Sequence, residues 1–348
     1  MVEVADGEGD QRLDRWLKRR FPEVTQGRIE KACRKGEIRV DGGRVKPATR
    51  VQDGQSVRVP PFGDAIRKAD AKPTQNRPQI SDANAAMIRA AVLWKDDHII
   101  ALNKPAGLPS QGGSKQTLHV DGLSAALRFG ADEDPRLVHR LDKDTSGILL
   151  LARSRKVAKG LGEAFQSRTT RKIYWAAIAG VPQPRMGTIR FGLVKAGGHG
   201  RGGEGEKMHT LHPDEVKDTP DAKHATSDYA VISGLGGRVS WAALVPITGR
   251  THQLRAHMAA IGHPIVGDGK YGGSGQENLG DGWGAGLGGE VSKKLHLHAR
   301  SLSFEHPVTG RQITLKAPLP EHMVATWDLL GWDVSEAPDD PFDPDELA

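Results

Sequence analysis

The chain has 348 residues, 37% of them hydrophobic and 26% charged, with a formal net charge of +6. This length supports one sizeable core plus a smaller companion domain, and no apolar run approaches the roughly 18 residues of a membrane span, so a helical membrane protein is excluded. A single cysteine, Cys33, excludes an internal disulfide framework and a cysteine-built zinc site. The first residues are acidic and carry no signal-peptide pattern, so a reduced cytoplasmic protein with no membrane partner is expected.

The charge is unevenly placed. Residues 11–60 hold 14 Lys and Arg against 6 Asp and Glu, a local net of +8 that exceeds the total for the chain. Leu13, Trp16, Leu17 and Phe21 recur at helical spacing. A second helix is expected from Thr25 as its cap, with Ile29, Ala32 and Cys33 inward and Gly36 as its stop. Short strands around Ile38, Val40, Val57 and Val59 follow, broken by the turns Asp41-Gly42 and Asp53-Gly54. Two basic helices and a small sheet, over residues 1–60, read as an α/β module for gripping RNA phosphates. Its candidate contacts are Arg12, Arg15, Lys18, Arg19, Arg28, Lys31, Arg34 and Lys35. A solvated accessory domain is the plainer alternative.

Residues 61–87, which follow Pro60 and carry Pro61, Pro73 and Pro78, read as a linker. A second domain is expected over 88–335. Ile99–Leu102 forms an apolar strand ending in the turn-forming Asn103-Lys104-Pro105-Ala106-Gly107. Leu149–Leu151 forms another buried strand, and Ser154 caps a helix with Val157, Leu161 and Phe165 on one face. Lys172–Ile178 is a further strand ending at Gly180. Several strands lack an intervening helix, which argues for α+β instead of a doubly wound sheet. The glycine-rich stretches 197–205 and 272–289 read as flexible surface loops, and residues 336–348 as an acidic disordered tail. No dinucleotide fingerprint or phosphate-binding Gly-Lys-Ser/Thr occurs, so no nucleotide cofactor is expected.

Three stretches can carry chemistry. In His139-Arg140-Leu141-Asp142-Lys143-Asp144-Thr145-Ser146-Gly147, an aspartate beside Arg and Lys is favoured as the carboxylate and suits a nucleophile or base; a salt-bridged turn fits the residue types equally well. A protein-kinase catalytic loop differs, because there Asp follows Arg directly. In Thr248-Gly249-Arg250-Thr251-His252-Gln253-Leu254-Arg255-Ala256-His257, the arginines and histidines suit a phosphate or carboxylate partner. Leu254, Met258 and Ile261 fit an amphipathic helix stopped by Gly262. His252, His257, His263, His296 and His298 raise the question of a metal, but five-residue spacing does not align two ligands on a helix and no acid completes a set, so none is expected. The third is Tyr174, whose default reading is a strand residue with a wet hydroxyl.

Taken together and in order, these motifs resemble the RluA-type pseudouridine synthases. The shared features are Asn-Lys-Pro-x-Gly, His-Arg-Leu-Asp-x-x-Thr-Ser-Gly, Lys-x-Tyr, Gly-Arg-x-His-Gln-Leu-Arg-x-His, and Gly-His-Pro-Ile-x-Gly-Asp at 262–268, spread over roughly 88–320. The N-terminal unit resembles the alpha-L RNA-binding motif. The resemblance implies a pseudouridine synthase fold with a mixed, largely antiparallel sheet. It implies Asp142 as the catalytic aspartate, Arg140 as the residue that helps displace the target base, Tyr174 as a stacking partner of the uracil, and Arg255 as the partner of Asp142. It also implies RNA as substrate, with 23S ribosomal RNA in the RluC-like form and transfer RNA as the alternative, and a monomer that needs no cofactor or metal. A non-catalytic RNA-binding assembly protein of the same fold is the competing class. Residues 196–226 and 272–289 are longer than a minimal member requires.

Overall fold

The apolar spacing of the basic N-terminal stretch does organise two helices, α1 (Leu13–Arg20) and α2 (Gln26–Lys35). Thr25 accepts the Arg28 N–H to start α2, and Gly36 ends it in the left-handed conformation. Leu13, Trp16, Leu17, Ile29, Ala32 and Cys33 are buried together with Ile38 and with Val51 and Val57 from the short strands. Those strands are β1 (Val2–Glu3), β2 (Gln11–Arg12), β3 (Arg39–Val40), β4 (Gly43–Arg44), β5 (Arg50–Val51) and β6 (Ser56–Arg58). They form a four-stranded sheet ordered β1-β6-β3-β4 and a separate β2-β5 pair. The structure is a computed structural model that describes residues 1–62, 80–112, 118–166, 170–195, 207–272, 291–338 and 340–342. The chain divides into two units, Met1–Pro78 and Gln79–Ala348.

In chain order the second unit contains α3 (Asp82–Ala90), β7 (Val92–Lys95), β8 (Ile99–Lys104), α4 (Val120–Leu123), β9 (Arg136–Leu137), β10 (Ser146–Ala152) and α5 (Arg155–Gln166). Next come β11 (Arg171–Ala179), β12 (Met186–Lys195), β13 (Met208–Leu211), β14 (Lys223–Leu235), β15 (Val239–Pro246) and α6 (Gln253–Ala260). The unit closes with β16 (Leu297–Glu305), β17 (Gln312–Lys316) and α7 (Glu321–Leu330). The strands make one 11-stranded sheet ordered β13-β12-β14-β15-β11-β16-β10-β8-β7, with β17 on β16 and β9 on β10. Among the described residues β10 and β16 pair in parallel, and the other pairings are antiparallel. The fold is therefore α+β with a mixed, largely antiparallel sheet, as the sequence implied.

Both faces of the central strands are covered, which explains their nearly continuous apolar runs. On β10, Leu149 and Leu151 pack on one face with Ile100, Leu102 and Val120, while Ile148 and Leu150 pack on the other with Val157, Leu161 and Phe304. On β15, Ala242 and Leu244 join Leu254 and Met258, while Trp241 joins Trp175, Trp327 and Trp332 on the opposite side. One face thus carries two apolar clusters, one at the β8–β10 half and one at the β11–β15 half. Tyr174 packs against both of them. The seam between these clusters is where the pocket lies.

Three expectations need correction. The linker ends earlier than residue 87: Ser81 caps α3, and Ala85, Met87 and Ile88 pack into the core, so a polar helix start is hidden at the end of a proline-rich stretch. The linker also begins later than residue 61, since Phe62 packs against Phe21 at 5.6 Å in the N-terminal core. The tail is not solvated from residue 336. Asp340 forms two hydrogen bonds with Arg171, at 3.0 and 2.8 Å, and Phe342 lies under the same guanidinium. The glycine-rich stretch 197–205, residues 273–289 of the second stretch, residues 63–79 of the linker and residues 343–348 of the tail lie outside the described residues. No helix among the described residues is long and apolar enough to cross a membrane.

Candidate active site

The stretch from His139 to Ser146 joins β9 to β10, and its neighbours fasten it residue by residue. His139 Nε2 accepts the Leu150 N–H at 3.0 Å, and its ring lies 4.5 Å from that of Phe165. Burial, then the nearby Lys172 charge, pushes the His139 pKa down to about 3, so the ring stays a neutral acceptor. Ser110 clamps Leu141 twice, donating its hydroxyl to the Leu141 carbonyl at 2.7 Å and accepting the Leu141 N–H at 3.0 Å. The Lys143 carbonyl accepts from the Gly107 N–H at 2.9 Å and from Lys104 Nζ at 3.1 Å. Residues 141 and 143 are therefore both pinned, and Asp142 is held between them.

Two further devices close the loop. His298 Nε2 faces the Ala317 carbonyl at 3.3 Å, so that nitrogen carries the proton and Nδ1 accepts the Ser146 hydroxyl at 2.8 Å. Gly147 has φ +107°, and a Cβ there would meet the Ala299 carbonyl oxygen at 2.3 Å. The parallel approach of β10 to β16 at Gly147↔Ala299 leaves no room for a side chain, which accounts for the glycine that ends this motif.

The pocket holds about 320 Å³ and is lined by Asp142, Arg140, Tyr174, Lys172, Arg250 and Arg255, among others. The Asp142 side chain is 19% exposed, and Arg255 Nη1 lies 3.7 Å from Oδ2. Tyr174 stands on β11 between Leu244 of β15 and Ala299 of β16. Burial, and then the Asp142 charge, drives its hydroxyl pKa well up, so it stays protonated. Arg140 is exposed at the rim, two residues before Asp142. The four residues singled out from the resemblance thus line one pocket.

Arg255 differs from the expectation in one respect. Its tight partner is Asp268, which accepts from Nε and Nη2 at 2.7 Å each, while Asp142 is the more distant neighbour. Burial opposes the guanidinium charge, but the hydrogen bonds and charge of Asp268, followed by Asp142, outweigh it and leave the Arg255 pKa raised. Asp268 Oδ1 also accepts the backbone N–H groups of Lys270 and Tyr271, which sets the Tyr271 ring 5.3 Å below the Arg255 guanidinium. The Tyr271 hydroxyl accepts the Met208 N–H from β13 at 2.8 Å and meets His252 Nδ1 at 3.0 Å. His252 Nε2 in turn lies 3.9 Å from Asp142. Burial pushes the Tyr271 pKa up to about 12.

The helix carrying Arg255 is not amphipathic as expected: Gln253 to Met258 are all buried. Packed between the sheet face and β13, α6 has no solvent side in its first two turns. Gln253 secures the turn before it, accepting from the Thr248 hydroxyl at 2.6 Å and donating to the Thr226 carbonyl at 2.8 Å. The histidines weighed as a metal set have separate surroundings. His298 holds Ser146, His296 meets Thr326 at 2.8 Å, His263 bonds the Ala179 carbonyl, and His257 is enclosed beside Phe191. Among the described residues no cluster of three potential ligands forms.

Sequence reasoning missed Asp268, Tyr271 and Lys104. Asp268 and Lys104 stood inside quoted motifs, yet nothing in their spacing announced their partners. Lys104 is fully buried, and its Nζ donates to the carbonyls of Pro105, Leu108 and Lys143. Burial pushes its pKa down to about 7, against the pull of Asp144 and Asp142. In the other unit, Arg12, Arg15, Lys18, Arg19, Arg28, Lys31, Arg34 and Lys35 are all exposed. Arg12 is engaged bidentately with Asp14 at 3.1 and 2.6 Å, and Lys35 lies 3.9 Å from Glu37.

Comparison with known proteins covers both units. Residues 98–260 match the RNA pseudouridylate synthase family, and residues 11–57 match the S4 domain. The chain is 33% identical over 335 residues to "Ribosomal large subunit pseudouridine synthase C" of Salmonella typhi, covering 95% of this chain and 96% of that protein. It is 34% identical to the protein of the same name from Haemophilus influenzae, covering 93% of each. Among solved structures, "Human RNA Pseudouridylate Synthase Domain Containing 4" is similar at 29% identity with a TM-score of 0.57, covering 72% of this chain and 96% of that one.

Proposed function

The chain belongs to the RNA pseudouridylate synthase family, and on that footing we propose that it isomerises uridines of large-subunit ribosomal RNA through Asp142. The observation that carries the site assignment is the placement of the Asp142 carboxylate in the pocket, its backbone pinned on both sides and Arg255 Nη1 3.7 Å away. Large-subunit RNA, 23S in a bacterium, is favoured by the names of relatives that match nearly the whole chain. A cytoplasmic monomer is the form in which it acts under this proposal.

The reaction breaks the bond between N1 of uracil and the ribose and rejoins the ring through C5, which then gives up its proton while N1 gains one. It needs no redox partner, group donor or added water. A glycosidase uses two carboxylates because it must activate water and release the aglycone. Here the base stays in the site, so a single carboxylate suffices. Asp142 acts on the ribose, either by attacking the anomeric carbon or by removing the neighbouring proton. Arg255 keeps positive charge beside it in a pocket with little water, where an unpaired carboxylate is costly.

The uridine must first leave its stack, which costs a few kcal/mol. Arg140 at the rim fills the vacated place. Tyr174 stacks on the uracil, an interaction worth about 1–3 kcal/mol. The N-terminal unit, proposed here as residues 1–62 ahead of a linker, grips phosphates through the exposed residues of α1 and α2 and contributes affinity with little sequence information.

The test is Asp142→Asn in the full-length protein, incubated with a large-subunit rRNA transcript and scored for pseudouridine. The expected loss is a factor of about 10²–10⁴ or more. Conversion at the wild-type rate would remove Asp142 from the mechanism. Free uracil in the supernatant, in place of an isomer kept in the RNA, would indicate glycosidic cleavage instead.

A further inference from the structure

One cation in the pocket wall has no role in the chemistry above. Lys172 precedes Tyr174 by two residues on β11, so both side chains leave the same face of the strand. Both line the Asp142 pocket. The Lys172 ammonium lies 4.5 Å from the centroid of the Phe165 ring. On that ring also rests His139, a neutral imidazole whose Nε2 is taken by the Leu150 N–H. Among the described residues, no carboxylate lies within ion-pair distance of Lys172 Nζ and no hydrogen bond engages it. Asp142 takes its charge partner from Arg255. Burial alone holds the Lys172 pKa down, which is the signature of a cation set in a wall without its counter-ion.

We propose that Lys172 binds the phosphodiester adjoining the uridine in the pocket, so that Lys172, Phe165 and His139 form a phosphate subsite in its wall. This rests on the reading that a uridine is turned into that pocket. A uridine in RNA offers one kind of anion, the phosphodiesters on its 5′ and 3′ sides. If the base stacks on Tyr174 and the ribose faces Asp142, the phosphate falls to one side. The Cα atoms of Lys172 and Tyr174 are about 6.6 Å apart along the strand, the scale of a single nucleotide. A neutral uracil oxygen would leave the ammonium charge uncompensated, whereas a phosphate oxygen completes a charge-assisted hydrogen bond. Lysine suits the task as a compact charge with rotatable donors. The aromatic face beneath it favours the cation while presenting no competing acceptor.

The test is direct binding, which does not depend on turnover. Uridine 5′-monophosphate, uridine 3′-monophosphate and uridine are titrated into the full-length wild-type protein, Lys172→Met and Lys172→Gln, and affinities are read from NMR shifts. Met keeps the packing against Phe165, and Gln keeps a polar tip without the charge. Wild type is expected to bind one of the nucleotides about tenfold or more tighter than uridine, the effect of one charge-assisted bond. Both variants are expected to bind nucleotide and nucleoside alike. The proposal is overturned by equal wild-type affinities, by no wild-type binding of either nucleotide at tens of millimolar, or by a preference that survives in both variants, which would move the phosphate to Arg140 or Arg250. Failure of the functional reading shows separately, as absence of pseudouridine in the transcript assay.

Discussion

Arg255 forms two 2.7 Å hydrogen bonds with Asp268 and turns its third nitrogen, at 3.7 Å, toward Asp142. One guanidinium thus serves two carboxylates of different standing. Asp268 is fully buried and fixes the orientation of the guanidinium plane, while Asp142 receives the remaining charge at the pocket surface. Asp268→Ala is therefore expected to leave Arg255 buried without its partner and to lower unfolding stability by about 3–5 kcal/mol. Asp268→Asn, which keeps the shape and one acceptor, is expected to fold better yet still to reduce conversion, because the guanidinium can rotate. Urea unfolding and pseudouridine formation, measured on both variants, check this; full activity in Asp268→Asn would show that guanidinium orientation does not matter.

Lys104 joins the turn after β8 to the Asp142 loop through three backbone carbonyls. Lys104→Met preserves much of the volume but leaves those carbonyls without their donor. A loss of about 2–4 kcal/mol is expected, since an unsatisfied buried acceptor costs about 1–3 kcal/mol and some of these relax toward solvent. Activity should fall alongside, because Lys143 is freed next to Asp142. Thermal unfolding and a kinetic assay on the same preparation would show whether the two losses travel together.

Four histidines have their pKa values held below the ordinary imidazole range. Burial pushes His139 and His298 down to about 3, and His257 and His296 down to about 4. In the unfolded chain each takes up a proton near the ordinary value of about 6.5. Their folded-state pKa values are depressed, so the unfolded state binds more protons below that pH. Their stabilising contribution is complete above about pH 6.5 and is lost as pH falls toward 4 and 3, at about 1.4 kcal/mol per pH unit for each histidine. Chemical denaturation at pH 7, 6 and 5 should show this decline. His257→Phe is expected to flatten it, since among the described residues neither ring nitrogen of His257 has a hydrogen-bond partner to lose.

Among the described residues the N-terminal core draws on residues up to Phe62. Removal of residues 1–78 is expected to leave the second unit folded and to weaken RNA binding. The slope of log affinity against log salt should become shallower by about 0.7–0.9 for each phosphate that the protein no longer neutralises. Filter binding of a large-subunit rRNA transcript across a salt series gives that slope directly. An insoluble remainder, or an unchanged slope, would count against an independent phosphate-binding module.

The sequence by itself determined several of the elements and singled out candidate residues that the fold brings to one pocket. Apolar spacing placed α1, α2 and α5, and unbroken apolar runs placed β8 and β10. Residue types alone left the Asp142 loop open between a salt-bridged turn and a site, and the family resemblance of the motifs picked out Asp142, Tyr174 and Arg255, which the structure brings to one pocket. The boundaries at Ser81, Phe62 and Asp340 were not legible, since short polar or proline-rich stretches show no periodicity until a partner surface arrives. Nor was the role of Asp268, Lys104 or Tyr271. Each is a charged or polar residue whose placement depends on what it meets across the fold: Arg255 from a helix, carbonyls from two loops, and a backbone N–H from β13. Tertiary structure alone decided these pairings, because burial makes an unpaired polar group costly, and only the folded chain shows which groups are buried together.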